Sequence, residues 1–571
     1  MENRLIPSLW TVFKEGYNFA TFAKDSLAGL IVGILSIPMA ISFAIASGAR
    51  PEQGIFTAII AGFLVSLLGG SRVQVAGPTG AFVILVHTTI QQFGYEGLAI
   101  STLLAGVFLC LMGFFRFGAF IKFIPYPVTI GFTSGLALVI FTGQIPDLFG
   151  LKFTSFPPEF HKRWALFASH CTSIDLITFS IALISLAIMV FWPKISKRIP
   201  GAIVAILLTT ALVQLFHLPI ETVKDRFGSI PTSLPSPMMP SWNIDLVLRV
   251  IPSAIAIALL AGIESLLSAV VADGMTGRRH RSNMELLAQG LANIGTIFFA
   301  GIPATGAIAR TATNIKNGAV TPIAGIVNAV VLLMILFFFG NWVSCIPMVT
   351  LAAILAVIAY NMSEWRHFAR LFKSPKSDVA VLLATFFLTV FVDLVTAIEV
   401  GIILASFLFL NKLVKSSKLR YLKEALKDEE EDKEDPFAIS SRKIPEDIEV
   451  FEIFGPLFFG ATENFRSALT RINRVPKVLI LRMRHVSTID ASGLRALEDL
   501  LTKSQKEKTL LLFSGIPHSL KETLKRSGFL KKVGQEYCFA NIDAALLFAH
   551  KACNLPLPEA ENSSNFCPTT E

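Results

Sequence analysis

The chain is predicted to be a polytopic α-helical membrane protein of fourteen crossings, arranged as a seven-plus-seven inverted repeat, with a small soluble α/β domain near its C-terminal end. Three observations predict the membrane class and the soluble domain, and matched breaks in the two halves of the apolar region predict the repeat. The 571 residues are 53% hydrophobic and only 16% charged, with a mean hydropathy of +0.62, values outside the range of ordinary water-soluble domains. Apolar runs close to the ~20 residues that cross a bilayer as helix recur between about residues 27 and 410. After that point the sequence turns polar and its periodicity changes.

The first apolar run follows a polar opening and lacks a small-residue cleavage pattern, so no removable signal peptide is expected. Residues 1–24 are read as a cytoplasmic segment and 25–411 as the transport domain. Apolar segments read against Gly and Pro breaks start near residues 27, 52, 78, 98, 124, 175, 200, 247, 285, 306, 322, 345, 378 and 396. With the N-terminus inside, loop cations such as Arg72, Arg116, Arg278, Arg279, Arg281 and Arg366 fall on the inner side. The outer loops hold fewer, Arg50, Lys162, Arg163, Lys224 and Arg226 among them. That bias predicts cytoplasmic termini. It also accounts for the net charge of +9, so no nucleic-acid partner is inferred.

Residues 412–440 are charged and helix-prone, then acidic, and read as a juxtamembrane helix and linker. From 441 to 555 strand-like and helical stretches alternate: "IEVFEIFGPLF", "TENFRSALTRIN", "KVLILRM", "SGLRALEDLLTKSQ", "TLLLFSGI" and "HSLKETLKRSGF". That is the order of a small α/β domain. Residues 556–571 are polar and expected to be disordered. The six cysteines are scattered without a C-x-x-C pair, which predicts no disulfide framework, no metal site and no cofactor. Neither a nucleophile–base constellation nor a phosphate loop is present, so an enzyme is not expected.

Two stretches break the apolar pattern in the same way. "VAGPTGAFVI" (75–84) and "IPATGAIARTA" (302–312) both place proline and small residues around Thr-Gly-Ala and then resume a short apolar helix. Thr79, Gly80 and Ala81 align with Thr305, Gly306 and Ala307, at the third and tenth crossings. Paired interruptions in two halves of a chain mark the binding site of an inverted-repeat transporter. Irregular backbone is tolerated at membrane depth only where it lines a protein-enclosed or wet cavity. Half-helices starting near Thr79 and Thr305 would direct backbone N–H groups and positive dipole ends at the midplane, which suits an anion.

Two charged residues sharpen this reading. Arg310 in hydrocarbon costs about 2.5 kcal/mol or more, so it must face a cavity or a partner. Both direct pairing with substrate and a structural hold on backbone carbonyls are open to it. Glu264 sits near the centre of the eighth crossing, with Ser268 one helical turn on. A carboxylate there can take up and release a proton as access alternates; pairing with Arg310 and sodium coupling are the alternatives. A passive anion channel and a membrane-tethered sensor are the competing classes. An anchor has no use for paired broken helices, and a pore needs no group that changes charge.

The blocks "VAGPTGAF", "GIESLLSAVVADGMTGRRHRSNMELLAQGLANI" and "PATGAIARTATNIKNGAVTPIAG" resemble the sulfate permease family of anion transporters. "VFEIFGPLFFGATENF" and "HVSTIDASGLRALEDL" resemble its C-terminal STAS domain. Within the family, "NMSEWRHFARLFKSPKSDVAVLLATFFLTV" looks most like the bacterial aerobic C4-dicarboxylate branch, which implies proton-coupled symport of succinate or fumarate in the inner membrane. The resemblance implies a core domain moving past a gate domain, elevator fashion, commonly in a homodimer. Carried over, the substrate pocket falls on Met39, Phe43, Gly77, Pro78, Thr79, Gly80, Thr305, Gly306, Ala307, Ala309 and Arg310, with Glu264 and Ser268 as ion-coupling residues. Some relatives have glutamine at Met39 and serine at Ala309, so two polar contacts are missing here; aspartate at the Glu264 position goes with sodium-coupled members, so glutamate favours protons. Asp490 and Ser492 match the regulatory corner of phosphorylated STAS relatives and imply a cytosolic protein partner, although Ser492 is equally an ordinary helix-start residue.

Overall fold

Helices begin close to most of the expected starts, two of which fall on a single broken helix, and the architecture follows from how the helices break. The computed structural model describes residues 5–119, 125–151, 153, 160–170, 173–196, 200–240, 243–392, 394–416, 418–421, 444–445, 447–470 and 475–555. The first half comprises α1 (Ser8–Glu15), α2 (Phe19–Ala46), α3 (Pro51–Leu68), β1 (Ala76–Gly77), α4 (Phe82–Phe114), α5 (Tyr126–Phe149), α6 (Phe160–Ser169), α7 (Leu176–Ile195), α8 (Gly201–Leu215) and α9 (Val223–Phe227). The second comprises α10 (Ile244–Thr276), α11 (Ser282–Phe298), β2 (Thr305–Gly306), α12 (Ile308–Lys316), α13 (Ile323–Ser344), α14 (Met348–Met362), α15 (Trp365–Leu371), α16 (Lys376–Phe391) and α17 (Leu394–Ser416). Among the described residues nine helical spans are long and apolar enough to cross a membrane.

The expected third and fourth crossings form one helix, α4, broken at Gly94, whose backbone is left-handed in φ (φ 69°, ψ −175°). The short helices α1, α6, α9 and α15 carry no apolar run of membrane length and were not anticipated. Close helix packing rests on small residues, since lipid supplies no hydrophobic drive between helices. At the α4–α11 crossing a side chain on Gly106 would strike Ile294 and the Gly290 carbonyl, and one on Gly290 would strike Cys110 and the Gly106 carbonyl. A contiguous apolar core runs through α2, α4, α5, α10 and α14, including Phe43, Phe82, Leu136, Ile257 and Leu355.

The chain divides into two compact units, 1–405 and 406–571, so α17 belongs to both. The second unit holds a five-stranded sheet in the order β3 (Lys418–Tyr421), β4 (Ile448–Phe454), β5 (Val478–His485), β6 (Leu510–Ser514), β7 (Cys538–Phe539). Its helices are α18 (Phe459–Thr470), α19 (Ala491–Lys506), α20 (His518–Arg526), α21 (Phe529–Val533) and α22 (Ile542–Ala552). Strands β4 to β7 are parallel, while β3 runs antiparallel to β4. Side chains alternate across the sheet with the period of two that strands impose. Phe451, Leu479, Leu481 and Phe513 pack with α19–α21, and Val450, Val478, Ile480 and Leu512 pack with α22.

Strand β3 corrects the boundary read from sequence. Residues 418–421 were assigned to a juxtamembrane helix and linker, yet they pair in register with β4, from Lys418↔Phe454 to Tyr421↔Phe451. A main-chain ladder to a distant strand overrides local helix preference there. The acidic run 423–435 and the tail 556–571 lie outside the described residues.

Asp490 caps α19. Its carboxylate accepts the Gly493 N–H at 2.8 Å and the Phe459 N–H at 3.0 Å, so both oxygens serve the fold. Ser492 is exposed on the first turn of α19. Asp490→Ala is expected to destabilise this unit by about 1 kcal/mol, the usual cost of a lost cap, read as faster hydrogen exchange in α19 of the full-length protein; unchanged exchange would assign the cap no role in stability.

Candidate functional site

The two Thr-Gly-Ala stretches meet each other. β1 and β2 form an antiparallel ladder with Ala76 opposite Gly306 and Gly77 opposite Thr305, extended by the Ala307 N–H donating to the Val75 carbonyl at 2.9 Å. The aligned repeat is visible one step further on: Ala81 is the N-cap of α4 and Ala307 the N-cap of α12, so each half-helix starts directly after Thr-Gly-Ala. Neither cap has a side-chain hydrogen bond. In α4 the Phe82 and Val83 N–H groups turn back onto the Thr79 and Gly80 carbonyls at 3.3 and 3.1 Å, while the positive dipole end of each helix still faces the junction. The halves differ in one respect, because the first half pairs the residues before Pro78 and the second pairs Thr-Gly itself.

That offset gives the two threonines different work. The Thr79 hydroxyl donates to Glu264 Oε2 at 2.8 Å. Thr305 Oγ1 lies 2.7 Å from Ser265 Oγ and donates to the Ala261 carbonyl at 3.0 Å. Ser265 Oγ in turn accepts the Gly306 N–H at 3.0 Å. Both anchors come from α10, where Glu264 and Ser265 are neighbours. Ser268 is buried, and its hydroxyl donates to Thr311 Oγ1 at 3.2 Å; the partner of Glu264 is Thr79, not Ser268.

Arg310 is 2% exposed. Its Nη2 donates to the Pro78 carbonyl at 2.7 Å, whereas Nη1 has no hydrogen-bond partner among the described residues. A Cβ on Gly77 would fall on Nη1, so only glycine leaves the guanidinium its place. Arg310 and Glu264 are not an ion pair in this structure. They grip adjacent residues of one turn, Arg310 the carbonyl of Pro78 and Glu264 the hydroxyl of Thr79. The structural hold considered for Arg310 is therefore present, and half of its fork is still unspent.

The remaining expected residues fall into two groups. Phe43 is buried and, with Ile140 of α5 and Met362 of α14, closes around Gly80. Met39 is half-buried and packs on the same core. Ala309 is exposed and Ala307 half-exposed. Gly306 is turned away from this space, since a side chain there would run into Gln74. A bulky residue at Gly306 thus damages the ladder rather than filling a ligand cavity.

Several polar residues that support the site were not picked out from sequence. Asn293 of α11 brackets Ala304, its Nδ2 donating to the carbonyl at 2.9 Å and its Oδ1 accepting the N–H at 2.8 Å. Thr311 Oγ1 accepts the Val75 N–H at 3.1 Å, and Gln74 Nε2 donates to the Ser265 carbonyl at 3.1 Å. Thr57 accepts the Ile302 N–H at 2.7 Å. Asn293, Thr311 and Thr57 hold irregular backbone that would otherwise be unsatisfied in hydrocarbon, at several kcal/mol per group, whereas Gln74 ties the stretch before β1 to helix α10. Their signal was polarity inside apolar runs, which is visible in sequence; which backbone group each would serve is not.

Comparison with known proteins places these features in context. The Sulfate permease family model matches residues 22–385 and the STAS domain model residues 440–545. YvdB of Bacillus subtilis, which bears a sulfate-transporter name, is 38% identical over 531 residues, covering 93% of this chain and 98% of its own length. The bicarbonate transporter BicA of Picosynechococcus is 27% identical, covering 95% of this chain and 98% of its own. Among solved structures, the murine Slc26a9 anion transporter in the inward-facing state aligns with a TM-score of 0.83 at 19% identity, over 96% of this chain and 94% of that one, a likeness of fold.

Proposed function

Because this chain belongs to the sulfate permease family, we propose that it is a secondary active transporter of a small anion, coupled to protons through Glu264. The observation that carries the reading is the junction of β1 and β2, where two uncapped half-helix starts, the unspent arm of Arg310 and Glu264 converge on the Pro78–Thr79 turn. Dipole ends and a guanidinium attract an anion. A carboxylate beside them accepts a proton when that anion arrives and loses it when the site empties. Alternating access of the elevator type, with α5 and α14 supplying the fixed wall, follows the family pattern, as do a homodimer, cytoplasmic termini and placement in the inner membrane.

For the substrate, the C4-dicarboxylate branch is the assignment that the sequence motifs favour. The names of YvdB and BicA favour an inorganic oxyanion, sulfate or bicarbonate, and make that the second reading. Uptake by purified protein in liposomes, with labelled succinate, fumarate, sulfate, bicarbonate and chloride under imposed proton or sodium gradients, decides between them. Saturable accumulation of one anion driven by an inward proton gradient is the expected result. Flux that only follows the anion's own gradient would make the protein a passive pore.

The STAS unit is assigned a regulatory role, with exposed Ser492 as a candidate contact for a cytosolic partner or a modifying enzyme. All residues of the proposed site, Met362 of its wall included, precede Lys418, so deletion from Lys418 onward is expected to leave substrate affinity intact while changing assembly or rate. Calorimetry on the truncated, well-folded protein checks this; loss of binding would make the domain part of the site.

A further inference from the structure

A charged cavity lies away from the anion site. It encloses about 290 Å³ and is lined by Ser71, Arg72, Asp273, Arg278, Arg279 and His280, with apolar residues of α12 and the α12–α13 connection behind them. None of the residues assigned to the anion site lines it. The connections after α3 and after α10 bring its arginines together, and Arg281 sits beside them. Loop arginines have a topological reason to be numerous, but that reason does not make them converge on one cavity.

The acids nearby are already engaged. Asp273 Oδ2 lies 2.7 Å from His280 Nδ1. Arg72 donates to both oxygens of Glu15, at 2.7 and 2.5 Å. Glu285 accepts the N–H groups of Gly70 and Ser71 at 2.9 and 3.0 Å. The Arg72 hydrogen bond holds the Glu15 carboxyl below its ordinary range, and the charges of Arg72, Arg278 and Arg281 add to the effect. The lining itself carries three arginines against one carboxylate, Asp273, so the cavity suits an anion rather than a metal ion.

Helix α1 says which anion. It is stitched to the rim of the cavity: the Ser8 N–H donates to the Gly69 carbonyl at 2.9 Å, the Ser8 hydroxyl to the Ser71 carbonyl at 2.7 Å, and Arg281 Nη1 to the Ile6 carbonyl at 2.7 Å. Its outer face exposes Trp10 (61%) and Phe13 (55%), and Phe19 follows at 82%. Lys14 lies 5.9 Å from the Trp10 ring centre. Aromatic residues beside a cation on a short helix are the composition of a segment lying in the membrane interface. The cavity thus opens where lipid headgroups are, and basic pockets at that depth take phosphate-bearing heads.

We propose that this cavity binds the phosphate of an anionic phospholipid headgroup, so that lipid pins α1 to the connections after α3 and α10. Soluble phosphate shares the chemistry, and the experiment separates the two. Full-length protein is placed in phosphatidylcholine nanodiscs with and without phosphatidylglycerol, and retained lipid is counted by native mass spectrometry alongside the melting temperature. Wild type and the control Arg366→Gln/Arg370→Gln, a basic pair on α15 remote in sequence from the cavity, are expected to retain phosphatidylglycerol and melt higher with it. Arg278→Gln/Arg279→Gln is expected to lose roughly tenfold or more in retention, with substrate affinity unchanged. Equal retention by the two double variants would overturn the site. Inorganic phosphate raising the melting temperature in pure phosphatidylcholine discs as much as phosphatidylglycerol does would overturn the lipid assignment.

Discussion

Glu264→Gln protein is expected to lose gradient-driven accumulation while still binding and exchanging its anion. The substitution keeps the shape of the side chain and an oxygen that can accept the Thr79 hydroxyl, the contact made at 2.8 Å. What it removes is the ability to change charge. With one proton moved per anion, a gradient of one pH unit stores about 1.4 kcal/mol, enough for a concentration ratio of roughly ten. In proteoliposomes the variant should reach only the level set by the anion's own gradient, whereas counterflow and calorimetric affinity stay near wild type. Accumulation by Glu264→Gln equal to that of wild type would remove Glu264 from the coupling mechanism. Loss of both binding and exchange would instead show that the Thr79 contact, rather than titration, is what matters.

Arg310→Gln is expected to weaken anion binding by roughly ten- to hundredfold, because a charge-assisted hydrogen bond contributes about 1.5–3 kcal/mol. The Pro78 carbonyl can still be reached by an amide, so the turn survives better than the affinity does. Arg310→Lys sharpens the test. It keeps the charge and loses the planar fork, one arm of which is held by Pro78 while the other is unpartnered among the described residues. Lysine should then cost a two-oxygen anion such as succinate more than it costs chloride. Calorimetry or ligand-dependent thermal shift with both anions reads the difference. Unchanged affinity for every anion in Arg310→Gln would reduce the residue to its grip on Pro78.

The membrane class, the helical runs, the change of character near residue 410 and the alternating α/β pattern after it were all legible in one dimension. Hydropathy and periodicity are local properties, and lipid enforces them strictly because each span must satisfy its own backbone. The paired Thr-Gly-Ala breaks and the cost of Glu264 and Arg310 in hydrocarbon were legible for the same reason, and both half-helices do begin directly after the tripeptide. Three things were decided only by the tertiary structure. The breaks pair with each other, Ala76 opposite Gly306 and Gly77 opposite Thr305, and so Gly306 meets Gln74 rather than ligand space. Glu264 and Arg310 hold neighbouring residues of one turn instead of each other. Residues 418–421 leave the helical pattern to become an edge strand. Each of these is a contact between segments far apart in the chain, where an unpaired backbone group or a buried charge takes the partner that the packed helices bring within hydrogen-bond reach, and no local propensity encodes which partner that will be.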